Sequence, residues 1–86
     1  MSKSTPNAIE YDWEGEAKRL LKAELARAGV SHKVLVARLE AMGIEDNTAA
    51  LASRITRGKF SFVFFLQCMR ALGVDEVRVG ERRTLG

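Results

Sequence analysis

Apolar residues recur at helical spacing at Ala17, Leu21, Leu25 and Ala28, with Lys18, Arg19, Lys22 and Arg27 elsewhere on the same stretch. Glu14 and Glu16 lie at its start and Arg27 at its end, as the helix dipole favours, and Gly29 supplies a stop. The pattern predicts a first helix over about Trp13–Ala28. Ser31 is a good N-cap for a second helix, about His32–Met42. Leu35, Leu39 and Met42 form its inner face with Val36 beside them, and Gly43 ends it. A polar turn through Glu45, Asp46 and Asn47 follows, in which Asp46 or Asn47 can cap the next element. Leu51 and Ile55 are an i, i+4 pair that predicts a short third helix, about Thr48–Arg57, closed by Gly58. Ala49, Ser53 and Arg57 point away from that pair, and Ala50 and Arg54 flank them.

Ser61 is the next candidate cap. The run from Phe62 to Leu72 is almost continuously apolar, broken by Gln67 and Arg70. It exceeds strand length and ends in Leu-Gly, which selects a fourth helix over a strand at Val63–Leu66. Three helices can cover one face of it well. The other face, read as Phe64, Cys68 and Ala71, is expected to meet a second subunit. Val77-Arg78-Val79 alternates at strand period. It reads either as a short C-terminal strand pairing with a second chain, so that Val77 and Val79 join the dimer contact, or as an irregular basic tail. The chain thus divides into a polar, flexible N-terminal arm over 1–11, a helical domain over 12–74 and a tail over 75–86. Tyr11 and Trp13 either dock on the domain or stay exposed.

A chain of 86 residues with 47% hydrophobic and 29% charged residues is sized and composed as one globular domain. The formal charge of +3 is unevenly placed. Residues 1–16 hold one Lys and four acids, whereas 17–86 hold 13 basic against 7 acidic residues. No acid occurs between Asp46 and Asp75, a span that contains Arg54, Arg57, Lys59 and Arg70. This balance suits a polyanionic partner. One cysteine, Cys68, and one histidine, His32, can form neither an intrachain disulfide nor a zinc set. His32 has no partnered Ser or Cys to suggest nucleophilic catalysis, and the glycines follow no phosphate-loop spacing. The expectation is a non-enzymatic protein without metal, cofactor or evident small-molecule ligand. No apolar run is long enough to span a membrane or resembles a signal peptide, so a cytoplasmic protein is expected.

Val30-Ser31-His32-Lys33-Val34-Leu35-Val36-Ala37-Arg38-Leu39 resembles the second-helix opening of the Cro-and-repressor (XRE-type) family. Leu51-Ala52-Ser53-Arg54-Ile55-Thr56-Arg57-Gly58 resembles that family's recognition helix, and Leu66 through Val74 its closing helix. More narrowly, Asp12–Val74 is similar to a small bacterial family known only as a domain of unknown function, above all in Arg57-Gly58-Lys59-Phe60-Ser61-Phe62-Val63-Phe64-Phe65-Leu66-Gln67. Two features depart from the repressor pattern: the turn after Gly43 is about two residues longer, and Thr56 replaces a common Glu. The resemblance implies an all-α, four- to five-helix, phage-repressor-like helix-turn-helix fold. It also implies a homodimeric transcriptional regulator that binds double-stranded DNA. Under it, Thr48, Ala49, Ala50, Ser53 and Arg57 face the major groove, and Asn47 and Arg54 flank them. Arg57 and Lys59 hold phosphates, while Ser31, His32 and Lys33 grip the adjacent strand. The alternative is a helical adaptor or antitoxin-like protein that binds a protein partner through the apolar face of the fourth helix.

Overall fold

The computed structural model describes residues 11–79, which form four helices and, among these residues, no strand. They are α1 (Trp13–Ala28), α2 (His32–Ala41), α3 (Thr48–Arg57) and α4 (Phe62–Leu72). Each begins with a side chain that accepts the amide three residues on. Asp12 accepts from Gly15 at 2.9 Å, Ser31 from Val34 at 3.2 Å, Asn47 from Ala50 at 2.8 Å and Ser61 from Phe64 at 3.0 Å. Such caps satisfy donors that the helix itself leaves unpaired. Three helix ends turn the chain back under the core. The amides of Val30, Ile44 and Val74 donate to the carbonyls of Leu25, Leu39 and Met69, and all three side chains pack on the core.

The four helices close a ring of contacts. α2 packs against α3 and α4, and α1 packs against the same two helices. Leu21, Leu35, Leu39, Leu51, Ile55 and Cys68 are fully buried at the centre. Leu25, Val36, Phe64, Met69 and Leu72 complete the core. The Leu51–Ile55 pair therefore faces inward as its spacing predicts. At one corner the end of α3 presses on the start of α1. Gly58 has φ +67°, and a Cβ there would lie 2.0 Å from the Glu14 carbonyl oxygen. Arg38 ties α2 to α4 by donating to the Ala71 carbonyl at 3.3 Å.

Several expected positions are corrected. Phe64 and Cys68 are buried in the chain's own core, so they do not offer a face to a second subunit. α4 instead leaves Phe62, Val63 and Leu66 exposed, and Ala71 is half-buried against the core. Met42 is exposed because it is the C-cap, with φ −92° and ψ 4°, and no longer follows the helical face of Leu35 and Leu39. Ala28 is exposed because Val30 folds back to fill the space beneath α1. Residues 75–79 are irregular and form no strand within the chain, with Val77 packed on the core and Val79 exposed. Trp13 is exposed, and its ring lies 4.5 Å from that of Tyr11, whose hydroxyl donates to Glu16. The expected arm, apart from Tyr11, and the tail beyond Val79 with Arg82 and Arg83 lie outside the described residues. No helix among the described residues is long and apolar enough to cross a membrane.

Candidate nucleic-acid interface

The six residues Met42–Asn47 join α2 to α3, and an ion pair fixes their path. Arg54 grips Asp46 with both ends of its guanidinium, Nη1 to Oδ2 at 3.0 Å and Nη2 to Oδ1 at 3.2 Å. The Asp46 side chain is only 9% exposed, and the Arg54 guanidinium lies 4.6 Å over the Phe64 ring. A bidentate pair stacked on an aromatic ring is held in one geometry. The hydrogen bond from Arg54 holds the Asp46 carboxyl below its ordinary pKa against the opposing effect of burial, and the Asn47 amide adds to the lowering. Arg54 is thus a strut between the turn and the core. Two of its donors and one face are engaged within the fold, and its side chain stays 32% exposed, so fewer donors remain for the bases or phosphate it was expected to reach.

α3 presents a different set outward. Asn47, Thr48, Ala49, Ala50 and Arg57 are exposed, and Ser53 is half-buried beside them. Arg57 Nη1 donates to Ser53 Oγ at 2.7 Å. That bond draws the guanidinium along the helix surface while most of its five N–H donors stay available. Asn47 uses its side-chain carbonyl oxygen as the cap and is exposed, so its NH₂ group is a further potential donor. The helix exposes only small side chains over its first turn, so another molecule can approach its backbone closely. Lys59 is exposed just past Gly58.

The start of α2 is a second basic locus. Lys33 is exposed and His32 half-buried. Ser31 and His32 border a shallow hollow of about 330 Å³ with Lys22, Leu25 and Val30. Sequence reasoning missed Lys22, because nothing in its spacing shows that α1 brings it beside the N-terminus of α2. Cys68 takes no part in this surface. Burial pushes its thiol up to about 12, so it stays protonated at neutral pH. Among the described residues no group of three or more His, Cys, Asp or Glu side chains is placed to hold a metal ion.

No curated protein and no solved structure matches the chain. The family described as Domain of unknown function (DUF6471) matches residues 13–77, from the first residue of α1 to the packed Val77, and the chain belongs to that family.

Proposed function

We propose that the protein binds double-stranded DNA as a transcriptional regulator, with α2, the Met42–Asn47 turn and α3 acting as a helix-turn-helix and α3 entering the major groove. The observation that carries this reading is the division of α3 into two faces. Leu51 and Ile55 are fully buried, while Thr48, Ala49, Ser53 and Arg57 form a small, polar and basic outer face without an acid. A major groove about 12 Å wide admits a helix of this kind, whereas bulky apolar residues would obstruct it and acids would repel phosphate. The acid nearest the start of α3 in sequence, Asp46, is neutralised by Arg54. Arg57 has donors for a guanine edge or a phosphate, and the Asn47 amide for a base edge or backbone oxygen. Lys22, His32 and Lys33 cluster at the α2 N-terminus, where backbone amides and the helix dipole favour a phosphate. The reading includes no catalytic step, metal or cofactor.

A mobility-shift experiment tests it. The protein should retard random duplex DNA at low salt, and a selected site should survive at physiological salt. The adaptor reading rests on the exposed Phe62, Val63 and Leu66. Absence of a shift at either salt would favour it over DNA binding.

A further inference from the structure

One side of α4 leaves three large apolar side chains in solvent. Phe62 is 70% exposed, Val63 62% and Leu66 51%, and Val79 from the tail is 80% exposed. Beside them runs a groove of about 280 Å³ between α1 and α4, whose walls include Ala17, Leu20, Phe60 and Phe65 and whose edges include Phe62 and Val79. We propose that this face docks a second copy of the chain in a two-fold dimer centred on α4.

Three observations select that occupant. The first is area. An aromatic side chain offers about 150–250 Å² when fully accessible, so Phe62 retains roughly 100–170 Å². Val63, Leu66 and Val79 add on the order of 100 Å² each, giving about 400–500 Å² of apolar surface. A standard interface uses about 800 Å² per partner, of which about 65% is apolar in homodimers. The exposed face therefore supplies close to what a stable homodimer needs. The second is charge. Residues 62–69 contain no ionisable side chain except the buried thiol of Cys68; the cations adjoining the face in sequence, Lys59 ahead of α4, Arg70 near its end, Lys18 and Arg19 on α1 and Arg78 beside Val79, belong to its rim. A two-fold contact sets a surface against its own copy, so a charged centre would repel itself, and the α4 centre of this face carries no charge. The third is shape. A recess and a projecting apolar edge lie side by side, and self-complementarity requires both on the same surface. The proposal is independent of the nucleic-acid reading, since it uses none of the α3 face.

Sedimentation velocity of the full chain, from low to several hundred micromolar, tests it. The wild type should move from monomer to dimer as concentration rises. Leu66→Glu should weaken self-association at least about 100-fold, because it places an unpaired charge in the contact. Its helical circular dichroism should not change, since Leu66 is not part of the core. Phe62→Lys is the second variant, at the most exposed position of α4, and should act likewise. Val34→Glu, on the exposed side of α2, should leave the dimer intact. A wild type that stays monomeric throughout would overturn the proposal. Folded Leu66→Glu and Phe62→Lys proteins that dimerise like the wild type would overturn it as well.

Discussion

Replacing Gly58 by alanine tests how α3 is anchored. Gly58 and Gly29 have nearly the same backbone, φ +67° and +68°, and both follow a helix. They differ in surroundings. Nothing lies within 4 Å of a Cβ added at Gly29, whereas one at Gly58 meets the Glu14 carbonyl oxygen at 2.0 Å and its carbon at 2.7 Å. Gly29→Ala should therefore cost only the left-handed conformation of a residue bearing a Cβ, about 1–2 kcal/mol. Gly58→Ala carries that cost and must also force α3 and α1 apart, as overpacking does, adding roughly 1–3 kcal/mol. A domain of this size is stabilised by only about 4–13 kcal/mol, so the second variant should lose a large part of its stability. Urea denaturation followed by circular dichroism measures both differences, with Gly73→Ala as a second open-space control at φ +76°. If Gly58→Ala and Gly29→Ala fell within about 0.5 kcal/mol of each other, the close approach would not be what fixes the end of α3.

Two further outcomes are expected. The depressed Asp46 carboxyl favours the folded state when ionised, so its contribution is fully present above its unfolded value near 3.8 and is lost as pH falls through the lower folded value. Asp46→Asn should lower stability at neutral pH and flatten its dependence on pH over that acid window, measured by thermal melts; an unchanged acid limb would contradict the Arg54 pairing. Cys68 should react with a thiol reagent at pH 8 only as fast as the chain opens, with full reactivity in denaturant, because the thiol is buried and its pKa is raised to about 12; rapid labelling of native protein would contradict its place in the core.

Helix boundaries were legible because local chemistry sets them. Ser31, Asn47 and Ser61 act within three residues of themselves, and the Gly-Val and Gly-Ile steps close helices through bonds confined to one turn. The inward pair Leu51 and Ile55 was legible because they are the only large apolar residues of α3 and lie one turn apart. α4 was not legible in this way. Phe62–Leu66 is apolar on every side, so periodicity could not decide whether Phe64 and Cys68 or Phe62 and Leu66 faced the core. Packing between α2 and α1 decided it. The engagement of Arg54 was hidden because its partner lies eight residues away across a turn and its stacking ring lies on another helix. Lys22 and the Gly58–Glu14 approach are tertiary juxtapositions that no local spacing encodes. Of the expected reading surface, Asn47–Ala50, Arg57 and Lys59 are exposed and Ser53 and Arg54 are half-buried, Arg54 with two donors on Asp46.

The salt dependence of duplex binding tests the central proposal most directly. Titrating labelled duplex with the wild type and with Arg57→Ala at several salt concentrations yields the slope of log affinity against log salt. The wild type should bind with a steep negative slope, and Arg57→Ala should bind more weakly with a slope shallower by about 0.9, one phosphate contact having been removed. Wild-type protein that leaves the duplex free at low salt, or an Arg57→Ala protein with unchanged affinity and slope, would contradict the assignment of α3 as the helix that reads DNA.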